Sequence, residues 1–205
     1  MTLVDGAVKK LEAHVWEREA NEHYVEPEWC SKRLFVDEPF DGDVYDPCCG
    51  FGRIVMGARK AGLTAYGSDL IDRGFVGAKS GIDFLQTDIE DVDNIVCNPP
   101  FDIAADFAAH ALATARRRVA MIFPTARLNA AHWLRGTPLM RVWLMTPRPS
   151  MPPGHTITAG EKPGGGKMDY CWLVWSHSWH VNVAPELKWL RRDIPALVGT
   201  PGERA

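Results

Sequence analysis

Apolar residues change their period along this chain. They recur at helical spacing from Val8 to Ala20, and again from Glu28 to Val36, where Pro27 is well placed to start a helix. Short apolar runs then alternate with helical stretches. Asp43–Asp46 reads as a strand, Pro47 to Gly52 as a tight glycine turn, and Arg53–Ala61 as a helix that Gly62 can end. Thr64–Gly67 reads as a second strand ending at Ser68-Asp69, Gly81–Leu85 as a third and Asn94–Asn98 as a fourth. Alanine-rich Ala104–Ala115 follows as a helix and Arg118–Phe123 as a strand. Strands alternating with helices predict an α/β fold, a mainly parallel sheet with helices on both faces.

After Pro124 the pattern loosens. Val142–Met145 is a strand candidate, and Thr146–Lys167, with five prolines and five glycines, is expected to be a long loop. Tyr170–Trp175 (YCWLVW) is the strongest late strand and is expected to close the sheet as an antiparallel edge. Leu187–Arg192 is read as a short surface helix. The expected organisation is one domain over residues 1–205. N-terminal helices occupy residues 1–40, the core 41–124, and substrate-side loops with the closing strand 125–205.

Composition narrows the class. The chain is 46% hydrophobic and 24% charged, ordinary for a soluble globular protein. It has no run near the roughly 20 apolar residues of a membrane span. The N-terminal MTLVDGAVKKLEAHVWE has no apolar signal core, and the five cysteines form no CxxC pair, which points to reduced thiols and a cytoplasmic setting. Seven scattered histidines give no metal-ligand spacing, so no metal is expected. Charge is uneven: residues 1–100 hold 10 Lys and Arg against 19 Asp and Glu, a net of −9, while residues 101–205 hold 13 against 7, a net of +6. A basic second half suits a nucleic-acid partner as well as a solvated face.

The chemistry gathers at two motifs. In Asp46-Pro47-Cys48-Cys49-Gly50-Phe51-Gly52, a strand ends in a glycine turn that opens a helix. This puts backbone N–H groups at the carboxyl edge of the sheet, where open α/β folds bind nucleotide-like ligands. It lacks the lysine and hydroxyl residue of a phosphate-binding loop. Gly164-Gly165-Gly166-Lys167 lacks it too, since Met168 stands in the hydroxyl position. Asp69, ending the next strand, sits where an acid accepts ribose hydroxyls; the alternative is a turn aspartate.

Asn98-Pro99-Pro100-Phe101 follows the fourth strand. Two prolines stop the ladder and fix a rigid turn. The Asn98 amide oxygen and the Pro99 carbonyl can both accept from one –NH2 group, stabilising the positive charge that grows as that amine attacks a methyl group. Phe101 offers a face for stacking a planar substrate.

With these residues the chain resembles the class I, S-adenosylmethionine-dependent amino-methyltransferases, whose catalytic motif reads (D/N/S)PP(Y/F/W), and most of all small DNA N6-adenine methyltransferases. The resemblance runs in motif order over residues 22–175. His23-Tyr24-Val25-Glu26-Pro27 is similar to the N-terminal cofactor motif, although Glu26 stands where the family has a small hydroxyl residue. Asp46 to Gly52 is similar to the glycine loop, Ser68-Asp69-Leu70 to the ribose-binding segment, and Asp83-Phe84-Leu85 to the adenine-contacting segment. Asp88 is a rival to Asp83, and Phe84 serves equally as core.

The resemblance implies a Rossmann-like methyltransferase fold. It implies S-adenosyl-L-methionine held by Tyr24, Pro27, Asp46, Pro47, Cys48, Gly50, Phe51, Gly52, Asp69, Leu70, Asp83 and Phe84. Catalysis falls to Asn98, Pro99, Pro100 and Phe101. Arg148-Pro149-Ser150-Met151-Pro152-Pro153-Gly154 falls where the family contacts an extruded base, the alternative being an irregular surface loop, so Arg148, Met151 and Lys167 are substrate candidates, with Arg127, Arg135, Arg141 and Lys162 as further phosphate partners. The implied reaction is methyl transfer to N6 of adenine in DNA by base flipping. The rivals are an RNA base, cytosine N4, a protein glutamine amide, or a module that binds without catalysis. Little chain is left for a DNA-recognition domain.

Overall fold

The computed structural model describes residues 23–161 and 164–193. The helix expected over Val8–Ala20, Lys162 and the ends of the expected domain lie outside them. The order is α1 (Glu28–Asp37), β1 (Val44–Asp46), α2 (Arg53–Lys60), β2 (Ala65–Asp69), β3 (Lys79–Ser80), β4 (Asn94–Cys97), α3 (Ala104–Thr114), β5 (Arg118–Pro124), β6 (Leu139–Thr146), α4 (Gly154–Thr158), β7 (Tyr170–Ser176) and β8 (Glu186–Arg191).

The strands form one eight-stranded sheet in the order β3-β2-β1-β4-β5-β7-β6-β8. All neighbours pair in parallel except β7, which runs antiparallel to both β5 and β6. The antiparallel strand is thus where the YCWLVW run predicts it, with β6 and β8 extending the sheet beyond it. Alternation in the central strands supplies both cores. Ala120, Ile122, Trp172 and Val174 pack with α1 and α2 on one face, while Val119, Met121, Leu173 and Trp175 pack with α3 on the other.

Three expectations are corrected. Gly81–Leu85 is not a strand: β3 comes earlier, at Lys79–Ser80, and Phe84–Gln86 forms a 3-10 turn. Asp83 causes this, because its carboxylate accepts the Leu85 N–H at 3.1 Å and so competes with ladder pairing. The Thr146–Lys167 loop contains the short helix α4. Leu187–Arg192 is no helix but most of β8, an edge strand beside β6 in which only Leu190 is buried. Arg141 ties it down through Glu186 at 2.7 Å, and Lys188 lies over the Trp143 ring.

The topology places the site. After β1 the chain crosses to β2 and β3 on one side, then returns to β4 on the other. A crevice opens at such a reversal, beyond the carboxyl ends of the strands. Asp46, Asp69 and Asn98 stand at those three ends.

Candidate active site

The turn after β1 is built for close approach. Gly52 caps α2 at φ 75°, in the left-handed region, and a Cβ there would lie 2.4 Å from the Phe75 ring. Cys49 donates its backbone N–H to the Ser68 carbonyl at 2.9 Å, and Gly50 donates its own to the Asp69 carboxylate at 2.9 Å. The other Asp69 oxygen accepts from the Ile71 N–H at 3.0 Å, so this carboxylate joins the turn to the tip of β2.

Above these ends lies a cavity of about 320 Å³. From the sequence-predicted cofactor residues, Tyr24, Asp46, Pro47, Cys48, Gly50, Phe51, Asp69, Leu70, Asp83 and Phe84 line it; Pro27 and Gly52 do not. Asp83 faces the cavity and its rival Asp88 does not. Phe84 is both wall and core, 2% exposed and packed against Phe107 and His110. Asn98 and Pro100 reach the cavity; Pro99 is buried behind it. Phe101 stands outside, its ring 5.9 Å from that of Tyr170 and 6.5 Å from that of Phe123.

Asn98 has a fixed orientation. Its amide nitrogen donates to the Tyr24 carbonyl at 2.8 Å and to Glu26 Oε2 at 3.0 Å. Both partners are acceptors, so the nitrogen must face them and the amide oxygen must point the other way. The segment carrying those partners is itself pinned. Val25 N–H donates to the Pro152 carbonyl, Gly154 N–H to the His23 carbonyl, and the Arg53 guanidinium to the Glu26 carbonyl at 2.6 Å.

The cavity floor is acidic and dry. Glu26 is 6% exposed and Asp46 1%. Burial raises the pKa of both; their mutual repulsion lifts Asp46 further, while hydrogen bonds and the Arg53 charge hold Glu26 back. Cys48 and Cys49 are not activated. Cys48 is pushed well up by its hydrogen bond with Cys97 and by burial, and burial likewise raises Cys49. No group of three potential metal ligands occurs among the described residues.

Substrate-side expectations fare less well. Met151 is 4% exposed, belongs to the core cluster that holds Tyr170 and Trp172, and is not part of the cavity wall. Arg148 and Lys167 are absent from the cavity wall. Arg148 is engaged with Asp169 at 2.7 Å, while Lys167 is solvent-exposed. Arg141 is committed to the buried Glu38 and to Glu186, so it is not a phosphate partner. Four arginines of the basic second half pair with acids of the first: Arg116 and Arg117 with Asp91, Asp93 and Asp41, and Arg118 and Arg141 with Glu38.

Sequence reasoning missed Arg53, Ile71, Arg73, Asp102, Ile103 and Phe107 in the cavity wall. Ile103 and Phe107 carry a helical spacing that, placed directly after Asn98–Phe101, could have marked them. Arg73 has no such signal, because only the path of the loop after β2 returns it to the cavity.

No protein-family profile matches this sequence, and no curated protein gives a significant match. Solved structures do. A protein of Pyrococcus horikoshii assigned to the RNA methyltransferases superposes with a TM-score of 0.58 at 16% identity, covering 83% of this chain and 95% of its own. A 23S rRNA methyltransferase gives 0.51 at 12%, covering 79% and 73%. A dimethyladenosine transferase of Plasmodium falciparum gives 0.50 at 12%, covering 75% and 62%. At such identities the likeness establishes the fold, the Rossmann-like fold of methyltransferases.

Proposed function

We propose that this chain is an S-adenosylmethionine-dependent methyltransferase of an exocyclic amine, with N6 of adenine in DNA as the preferred target. The observation that carries the reading is the locked Asn98 amide, whose nitrogen is held by Tyr24 and Glu26. That leaves its oxygen to accept from a substrate –NH2 group, with the Pro99 carbonyl as the proposed second acceptor.

The cavity fits the cofactor. Its buried acids Asp46 and Glu26 suit a ligand that carries positive charge, Asp69 ends β2 where ribose hydroxyls bind, and Leu70 and Ile103 offer apolar rims, 57% and 39% exposed, to a flat base. When bound, the cofactor supplies an electrophilic methyl group on a sulfonium. Asn98 and the Pro99 carbonyl align the amine by accepting its two protons, and they stabilise the charge that develops on its nitrogen. Pro99 and Pro100 hold those acceptors rigid. Phe101, in ring contact with Tyr170, is the proposed face on which the extruded base stacks, worth about 1–3 kcal/mol. Arg148, Lys167 and Arg127 are the proposed partners of a backbone phosphate. The activity is proposed to reside in one domain and in the cytoplasm.

A second reading is favoured by the ion pairs. Arg116, Arg117, Arg118 and Arg141 are bound to acids, which withdraws four cations from contact with a duplex. An unpaired adenine in RNA or single-stranded DNA needs fewer phosphate contacts. The deciding experiment supplies labelled S-adenosylmethionine with duplex DNA, single-stranded DNA, total RNA and a translation release factor, then identifies the modified atom. Label on DNA adenine N6 is expected; label only in RNA or protein would reassign the substrate. Asn98→Ala is expected to abolish transfer and leave cofactor affinity nearly unchanged; lost cofactor binding would make Asn98 structural.

A further inference from the structure

We infer that Glu26 is a positioning residue for methyl transfer: its carboxylate fixes the Asn98 amide and links that amide to the glycine turn that holds the cofactor. This deepens the amine-methylation reading and rests on it.

The linkage is continuous. Arg53, the first residue of α2 after the glycine turn, donates to the Glu26 carbonyl at 2.6 Å. Glu26 then accepts the Asn98 amide at 3.0 Å from a position 72 residues away in sequence. Glu26, Asp46, Arg53 and Asn98 all line one cavity.

The Tyr24 carbonyl alone does not fix the amide. A primary amide has two N–H groups and two lone pairs on oxygen, and a single acceptor leaves it free to swing about χ2. A second acceptor on the nitrogen side removes that freedom. A charged acceptor also makes the stronger bond, and its pull on the amide nitrogen raises electron density on the amide oxygen that faces the substrate. A carboxylate 6% exposed would be costly to keep here without such partners.

The test uses the full chain and two substitutions. Glu26→Gln keeps a carbonyl oxygen that can accept from Asn98; Glu26→Met has the same length and no oxygen. We expect Glu26→Met to lower kcat about 10- to 100-fold with KM for the nucleic acid little changed, and Glu26→Gln to recover most of that loss. The second readout needs no turnover. The side-chain amide of Asn98, assigned in a 15N correlation spectrum by its disappearance in Asn98→Ser, is expected to exchange slowly in the wild type and in Glu26→Gln. It is expected to exchange fast in Glu26→Met. Slow exchange retained in Glu26→Met, or a kcat loss as large in Glu26→Gln as in Glu26→Met, would overturn the assignment. A wild type that methylates no amine would sink the methyltransferase reading, and the amide exchange would still decide what Glu26 does.

Discussion

Gly50 donates its backbone N–H to the Asp69 carboxylate across 2.9 Å, so the turn after β1 and the tip of β2 are one rigid unit. Asp69 therefore has two tasks, shaping the turn and offering its remaining lone pairs to ribose. Asp69→Ala is expected to weaken binding of S-adenosylhomocysteine about 10- to 100-fold, the loss of one or two charge-assisted bonds. Calorimetric titration measures it; unchanged affinity would move the ribose site elsewhere.

Glu38 is buried at the end of α1, yet it is the hub of a network. It accepts from Arg118 at 2.6 Å, from Arg141, and from the Trp143 indole at 2.9 Å, which binds α1 to β5 and β6. Glu38→Gln leaves Arg118 without its charge partner and Arg141 with Glu186 alone. We expect a loss of about 3 kcal/mol, or roughly 6–12 °C in Tm for a chain of this size. Thermal unfolding tests this, and a shift below the measurement error would mean the network is solvated and weak.

Glu26 and Asp46 make stability depend on pH. Burial lifts both carboxyl groups above their ordinary values, so the folded chain holds protons that the unfolded chain releases. Stability then falls as pH rises through the raised range, and the penalty vanishes below the ordinary carboxylate range. Asp46, Arg53, Cys30 and Asn98 are the groups that face Glu26, and Arg53 is the cation among them. Glu26→Gln removes one titrating acid. Its Tm is expected to exceed that of the wild type at about pH 8, with the gap narrowing towards about pH 5. A gap that widens on acidification would refute this.

Arg127 and Arg148 are half-exposed and paired with Asp102 and Asp169. Such pairs contribute only about 0–1 kcal/mol, so Arg127→Ala and Arg148→Ala should leave Tm nearly unchanged. If each contacts a phosphate during turnover, its removal lowers the slope of log KM against log salt by about 0.7–0.9. An identical salt slope in wild type and variants would exclude both from the nucleic-acid path.

The sequence by itself determined the central sheet and the order of its motifs. Strand alternation in Arg118–Pro124 and Tyr170–Ser176 records which side chains face each core, and that information is local. Asp46–Gly52 and Asn98–Phe101 were legible for the same reason, since glycine and proline restrict the backbone wherever they stand. Tertiary structure decided what depends on distant chain. It put Asp83 and not Asp88 on the cavity wall, buried Met151, and turned Leu187–Arg191 into a strand because β6 offered an edge to pair with. It also paired four arginines of the basic second half with acids of the first, which net charge cannot show because charge carries no address. The bond from Asn98 to Glu26 belongs to this second kind: neither residue signals the other in sequence, and the carboxylate reaches the amide on a segment held by Arg53 and by the Val25–Pro152 and Gly154–His23 bonds.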